Sequence, residues 1–416
     1  MYIKKTMNNS LNENKKKISQ ESIIKLEKIM ICLFFINVPV SIFTSLTILG
    51  DLSKYYVLIL SICESIRIVK YRIRFSNNSV WIIIVILIFI INALFYPNKN
   101  ELSNSINYIY IFYIILLFSN LHFEKSYIDK LIKITYISVC IYIIVLFITI
   151  LFTTNFDRIN FYILNQQIHP NYQTVILNFQ PALLSYLILK QNISSKYSII
   201  TNLVILSMNI YIILKMETRA QFLITTGIII IIIVLYFYDN FNCKGIEDYI
   251  KKFKRIIKEN KLVLLILLLI SFFVIMNLDN RVFNLSKMFQ DGGSNRLILW
   301  KEAFNLSITN HNYFGIGTNV FLNNSTLHVV PHNSYIRLLL DTGFLGLFSY
   351  LIFIGNKFKM MKNNDIAFYG ILFSVIFTPF FVDTFDSLTY IFQLLILIIV
   401  LNGISGEKVW RLVSFY

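Results

Sequence analysis

The residues best suited to chemistry lie late in the chain. His332 stands between Pro331 and Asn333, where a long polar stretch gives way to an apolar one. Proline biases the residue before it toward extended backbone, and Asn333 or Ser334 is suited to cap a new helix whose first N–H groups lack partners. Such a helix start accepts an anion such as phosphate, and a histidine beside it can take a proton near neutral pH. A capping or hydrogen-bonding role accounts for His332 equally well. Arg337 and Asp341 follow Asn333 at successive i+4 steps, so all three share one helix face. That pair fits a polar cavity or an internal ion pair that sets helix packing. Arg219, in Met216-Glu217-Thr218-Arg219-Ala220, and Arg296, at the head of a helical pattern, present a planar donor fork suited to phosphate oxygens. Each also reads as a plain surface arginine.

The remaining candidates are weaker. His169, in His169-Pro170-Asn171, precedes an apolar stretch and reads as a turn; His311 and His328 read as surface residues, and His122 lies in an inner loop. Cys32, Cys63 and Cys140 fall inside apolar stretches, Cys243 lies in a basic loop, and the absence of a Cys-x-x-Cys spacing argues against a zinc site or a disulfide framework. No clustered acidic set marks a metal site, and no cofactor is expected.

The elements that must position these residues are membrane spans. Of 416 residues, 56% are hydrophobic and only 14% are charged, against about 45–50% and about 25% in a soluble domain. A water-soluble core of this length does not hide so much apolar surface, and the richness in Ile and Phe excludes disorder for most of the chain. The net charge is 38 − 22 = +16. Its basic residues sit in short runs between apolar segments, which argues against nucleic acid as a partner. No cleavable signal peptide is visible, because the first apolar stretch is long enough to span and stay.

The expected fold is an all-α polytopic membrane protein with about twelve spans, at 28–49, 54–69, 79–96, 104–121, 130–153, 172–190, 197–215, 219–238, 262–278, 333–355, 366–383 and 387–404. The second is the weakest by hydropathy, since it holds Glu64 and Arg67. Lys and Arg concentrate in the segments that face inward if the N-terminus is inside, most of all from Lys244 to Lys258. Dropping the second span would put Arg72 on the wrong side. The resulting divisions are a cytoplasmic tail at 1–27, nine spans at 28–278, a large extracytoplasmic loop at 279–332, three spans at 333–404 and a cytoplasmic tail at 405–416. A loop this long is uncommon unless it is functional or disordered. Arg296, Trp300, Ala303 and Phe304 recur at helical spacing within it, so it is expected to carry a surface helix. Gly343 and Gly346 fit a close helix approach.

Taken in order, Arg296, Trp300, Phe314-Gly315-Ile316-Gly317, His332-Asn333 and Gly343-Phe344-Leu345-Gly346 resemble the signature region of the bacterial O-antigen ligase and polymerase superfamily. Thr218-Arg219-Ala220 resembles that family's Arg-bearing turn at a helix start, and His169-Pro170-Asn171 loosely resembles a further element. The resemblance implies a lipid-dependent membrane glycosyltransferase in the cytoplasmic (inner) membrane of a bacterium, with its active site facing outward. Its donor would be a polyprenyl-diphosphate-linked glycan, and an acceptor sugar hydroxyl would attack the anomeric carbon as the lipid diphosphate leaves. On that basis His332 is the base and Arg219 and Arg296 hold the diphosphate. Arg337 is a second-rank phosphate contact, and His169, Asn333, Asp383 and Asp386 are candidate glycan contacts. Two functions share this chemistry: polymerisation of O-antigen or capsule repeat units, and ligation of the glycan to a lipid A core or protein. A lipid-linked glycan flippase is the remaining alternative, disfavoured because a transporter has no need of an ordered outer loop ending in His-Asn. Membrane lipids, a flippase and a chain-length regulator are the implied partners.

Overall fold

In hydrocarbon every backbone N–H and C=O must be satisfied within the protein, which favours helix for apolar segments of this length. The computed structural model describes residues 21–37, 47–71, 76–95, 99–121, 123–153, 162–163, 166–167, 170–191, 196–240, 296–309, 313–318, 320–359, 368–381 and 388–413. The helices are α1 (21–37), α2 (Thr47–Tyr71), α3 (Ser79–Phe95), α4 (Lys99–Ser119), α5 (Lys125–Phe152), α6 (Pro170–Gln191), α7 (Lys196–Lys215) and α8 (Arg219–Asn240). They continue with α9 (Arg296–Thr309), α10 (Val320–Asn324), α11 (Ser334–Lys359), α12 (Tyr369–Phe381) and α13 (Leu388–Val413). A two-residue antiparallel pair, β1 (Tyr162–Ile163) and β2 (Gln166–Gln167), joins Tyr162 to Gln167.

Among the described residues, α5, α11 and the Leu102–Ser119 part of α4 are long and apolar enough to cross a membrane, and shorter apolar helices accompany them. The surface shows why. Ile137, Ile141, Ile144, Ile148 and Leu151 run along one exposed face of α5, while Ile132, Val139, Ile143 and Leu146 face the core. A helix apolar on both faces has its outer face against lipid. The expected span at 262–278 and the basic segment at 241–261 lie outside the described residues.

The charges that weaken the second span have an internal explanation. Arg67 on α2 contacts Glu64 at 3.2 Å and Glu27 of α1 at 3.3 Å, and all three side chains are buried. Pairing is the condition on which charges enter such an interior. Pro181 lies inside α6 and has no N–H for the carbonyl of Leu177. Asn209 of α7 supplies the missing donor, its Nδ2 bonding Leu177 O at 2.8 Å.

Three contacts orient the bundle around the site. Thr225 of α8 bonds Asn178 of α6, Gly370 of α12 backs onto Ser185 of α6, and Gly227 of α8 backs onto the Phe373 ring of α12. Together they make α6 and α8 parallel and α12 antiparallel to both. Tyr335, at the start of α11, donates to Ile376 O of α12 at 3.0 Å. The first residues of α8 and of α11 therefore open at the same end of the bundle.

Candidate active site

The loop between α10 and α11 is held in place by α9. Trp300 Nε1 donates to Pro331 O at 2.8 Å. Glu302 accepts from Thr326 N at 3.2 Å and Thr326 Oγ1 at 2.6 Å. Leu299 and Ala303 pack with Ile316, Phe321, Ile336 and Leu340, which joins α9 to the top of α11. The expected surface helix thus exists, but Phe304 faces outward and Leu299 takes the inner position.

His332 lies between these anchors with φ of 50°. A left-handed backbone at a residue other than glycine costs about 1 kcal/mol or more and persists where the surroundings impose it. Directly after it, Asn333 caps α11: its Oδ1 accepts from Tyr335 N at 3.0 Å and Ile336 N at 3.1 Å. Those donors are thereby occupied, so α11 does not start as the open anion site expected from its sequence. Asn333 is buried and serves the helix. Arg337 and Asp341 do share its face: Arg337 Nε lies 3.6 Å from Asp341 Oδ2, with the guanidinium 5.3 Å from the centre of the Tyr108 ring on α4.

The glycines do something the sequence reading did not anticipate. Gly343, with φ 67° and ψ −172°, breaks α11 in mid-course. In an unbroken helix Leu340 O and Asp341 O would receive the N–H groups four residues on. Here Ile316 N bonds Leu340 O at 2.8 Å, and Leu345 N bonds Tyr313 O at 3.1 Å. Asn92 Nδ2 of α3 bridges Asp341 O at 2.6 Å and Phe314 O at 3.2 Å. The Phe314-Gly315-Ile316-Gly317 segment is thus plugged into the break. A Cβ on Gly315 would overlap the Asp341 carbonyl, and one on Gly343 the Tyr313 carbonyl. The expected helix–helix approach at Gly343 and Gly346 is replaced by loop-to-helix contact at Gly343 and by the side chain of Thr342, on its own helix, at Gly346. Irregular backbone at this depth survives because it is buried in protein.

The two other arginines sit at helix starts. Arg219 begins α8 after a turn in which Glu217 has φ of 50° and Thr218 N bonds Ile213 O at 3.3 Å. Arg296 begins α9; burial lowers its pKa from the ordinary value, and its Nε finds no hydrogen-bond partner among the described residues. His169, His311, Asp383 and Asp386 lie outside the described residues. Among those described, no cluster of His, Cys, Asp and Glu could hold a metal ion. Sequence reasoning missed Asn92, Tyr108 and Glu302. Asn92 alone carried a signal, as an amide late in the otherwise apolar run of α3.

Residues 194–351 match the family model described as O-antigen ligase. This region belongs to the O-antigen ligase/polymerase superfamily. Members of the superfamily are glycosyltransferase-like ligases and polymerases that act on lipid-linked glycans at membranes. The O-antigen ligase region contains Arg219, Arg296, Trp300, both glycine pairs, His332 and Arg337, whereas His169, Asp383 and Asp386 fall beyond it. No curated protein and no solved structure matches the chain.

Proposed function

We propose that the protein polymerises polyprenyl-diphosphate-linked oligosaccharide repeat units of a bacterial surface polysaccharide, O-antigen or capsule, at the outer face of the cytoplasmic membrane. The observation that carries the proposal is His332, held in a left-handed backbone by the Trp300–Pro331 bond on one side and the Asn333 cap on the other. Strain of this kind gathers at functional sites. In the reaction the oxygen of an acceptor sugar hydroxyl bonds to the anomeric carbon of the donor. The bond from that carbon to the diphosphate oxygen breaks, and its electron pair leaves with the lipid diphosphate. The hydroxyl proton passes to the His332 ring. Because the leaving group is already a stable anion, the main electrostatic demand is cationic, and Arg219 and Arg296 supply it. Arg337 is engaged by Asp341 and Tyr108, so we assign it first to holding the upper half of α11 and only second to the diphosphate. His169, Asp383 and Asp386 are proposed glycan contacts of lower rank, whereas Asn333 is spent on the cap of α11. A flippase that delivers the lipid-linked units and a chain-length regulator are the proposed protein partners.

Ligation of the finished glycan to a lipid A core or protein is the second reading, favoured by the family description itself. Glycan profiling of a deletion strain separates the two. A polymerase deletion leaves a single repeat unit on its final acceptor and no polymer. Accumulated lipid-linked polymer instead identifies a ligase and refutes the polymerase reading.

A further inference from the structure

A second feature of the outer half of the bundle lies away from His332. Lys54, Tyr55 and Leu58 of α2 and Tyr110 and Tyr113 of α4 line an open groove of about 530 Å³. Its walls are largely apolar and lie on the surface: Tyr55 is 59% exposed and Leu58 57% exposed. The polar groups within are few. Ser61 spends its hydroxyl on Val57 O at 2.7 Å, whereas the buried Tyr110 hydroxyl has no hydrogen-bond partner among the described residues. Lys54 brings a cation to the end of α2 that the charge pattern places outward.

The geometry points to this groove as the seat of a second polyprenyl-diphosphate lipid, the one that carries the acceptor glycan. The inference rests on the polymerase reading, which needs two lipid-linked glycans side by side, a donor and an acceptor. The donor diphosphate is assigned to Arg219 and Arg296. Arg219 starts α8, which packs mainly on α6 and α12, so its end of the donor site lies apart from the α2–α4 groove. The groove is nonetheless close to the site. Tyr108 carries the Arg337 guanidinium on one face of α4, and Tyr110, two residues on and about 200° around the helix, faces the groove. One helix, about 10–12 Å across with its side chains, separates them, and a short oligosaccharide spans that distance. The charge and the walls match this occupant: ammonium against diphosphate, with aromatic and aliphatic side chains against the isoprenoid.

The test uses the full chain in nanodiscs of phosphatidylethanolamine and phosphatidylglycerol, with a benzophenone-bearing polyprenyl diphosphate as the probe. Irradiation should label the α4 peptide containing Tyr110 and Tyr113, and unlabelled polyprenyl diphosphate should displace the label. Leu58→Trp, which fills the groove, should abolish labelling of that peptide. Lys54→Gln should weaken it and Lys54→Arg retain it, a comparison that stands even if Leu58→Trp fails to fold. Label that phosphatidylglycerol displaces and polyprenyl diphosphate does not would mark ordinary boundary lipid and overturn the inference, as would no label on α4. Labelling does not depend on turnover, so the polymerase reading is tested separately, by whether the wild type joins lipid-linked units. Turnover without α4 labelling refutes the groove alone. Displaceable labelling without joining of units refutes the polymerase reading and, with it, the acceptor role.

Discussion

Trp300→Phe isolates the anchoring of the site. The change keeps an aromatic ring among Leu299, Ile336 and their neighbours and removes one donor, the Nε1–H that meets the buried Pro331 carbonyl at 2.8 Å. Leaving a buried carbonyl without its partner costs about 1–3 kcal/mol. Because the next residue, His332, holds a left-handed backbone that it would otherwise abandon, that cost falls on the site geometry. If it all appears as a lower population of the positioned loop, the active fraction falls about 5- to 150-fold. The assay is transfer from lipid-linked donor in proteoliposomes, run with a thermal melt of the same preparation. A loss of kcat with KM nearly unchanged and little change in Tm is the expected result. A lower Tm with full turnover per folded molecule would mean that Trp300 serves only stability. Unchanged turnover and unchanged Tm would refute the anchoring argument outright.

His332→Ala should abolish chain extension while the protein still inserts and folds, since general base catalysis contributes about 10²–10⁴-fold; long polymer on a glycan gel of that variant would remove His332 as the base. Arg219→Lys and Arg296→Lys keep the charge and lose the two-pronged geometry, so transfer should fall by about tenfold or more in each, and full transfer rates would argue against a diphosphate clamp. Gly343→Ala places a Cβ on the Tyr313 carbonyl at a φ of 67°, a conformation that costs about 1–3 kcal/mol before the overlap is counted. Most of that protein should be lost to aggregate on size exclusion in detergent, and a monodisperse, active product would show that the break in α11 is dispensable.

The membrane class and the helical fold were legible in the sequence, because mean composition and run length settle whether a segment prefers lipid. So were local features of the polar minority: the helix that begins after His332, the pairing of Arg337 with Asp341, and the helix that opens at Arg296. Each depends on spacing of three or four residues along one helix, a distance over which chain order and space agree. Charge parity predicted a second span, and the fold adds why its charges can be buried: Arg67 pairs with Glu27 and Glu64. What the sequence left open was which of two apolar faces meets lipid, as in α5, where Ile137 and Ile143 differ in environment and not in chemistry. Only the tertiary structure decided that Gly343 breaks α11, that the Gly315–Gly317 loop fills the break and that Asn92 ties the two. The physical reason is that a broken helix is tolerated only when its orphaned carbonyls find donors, and here those donors lie 24 residues before Leu340, at Ile316, and 249 before Asp341, at Asn92. No local pattern reports a partner that the chain reaches only by folding.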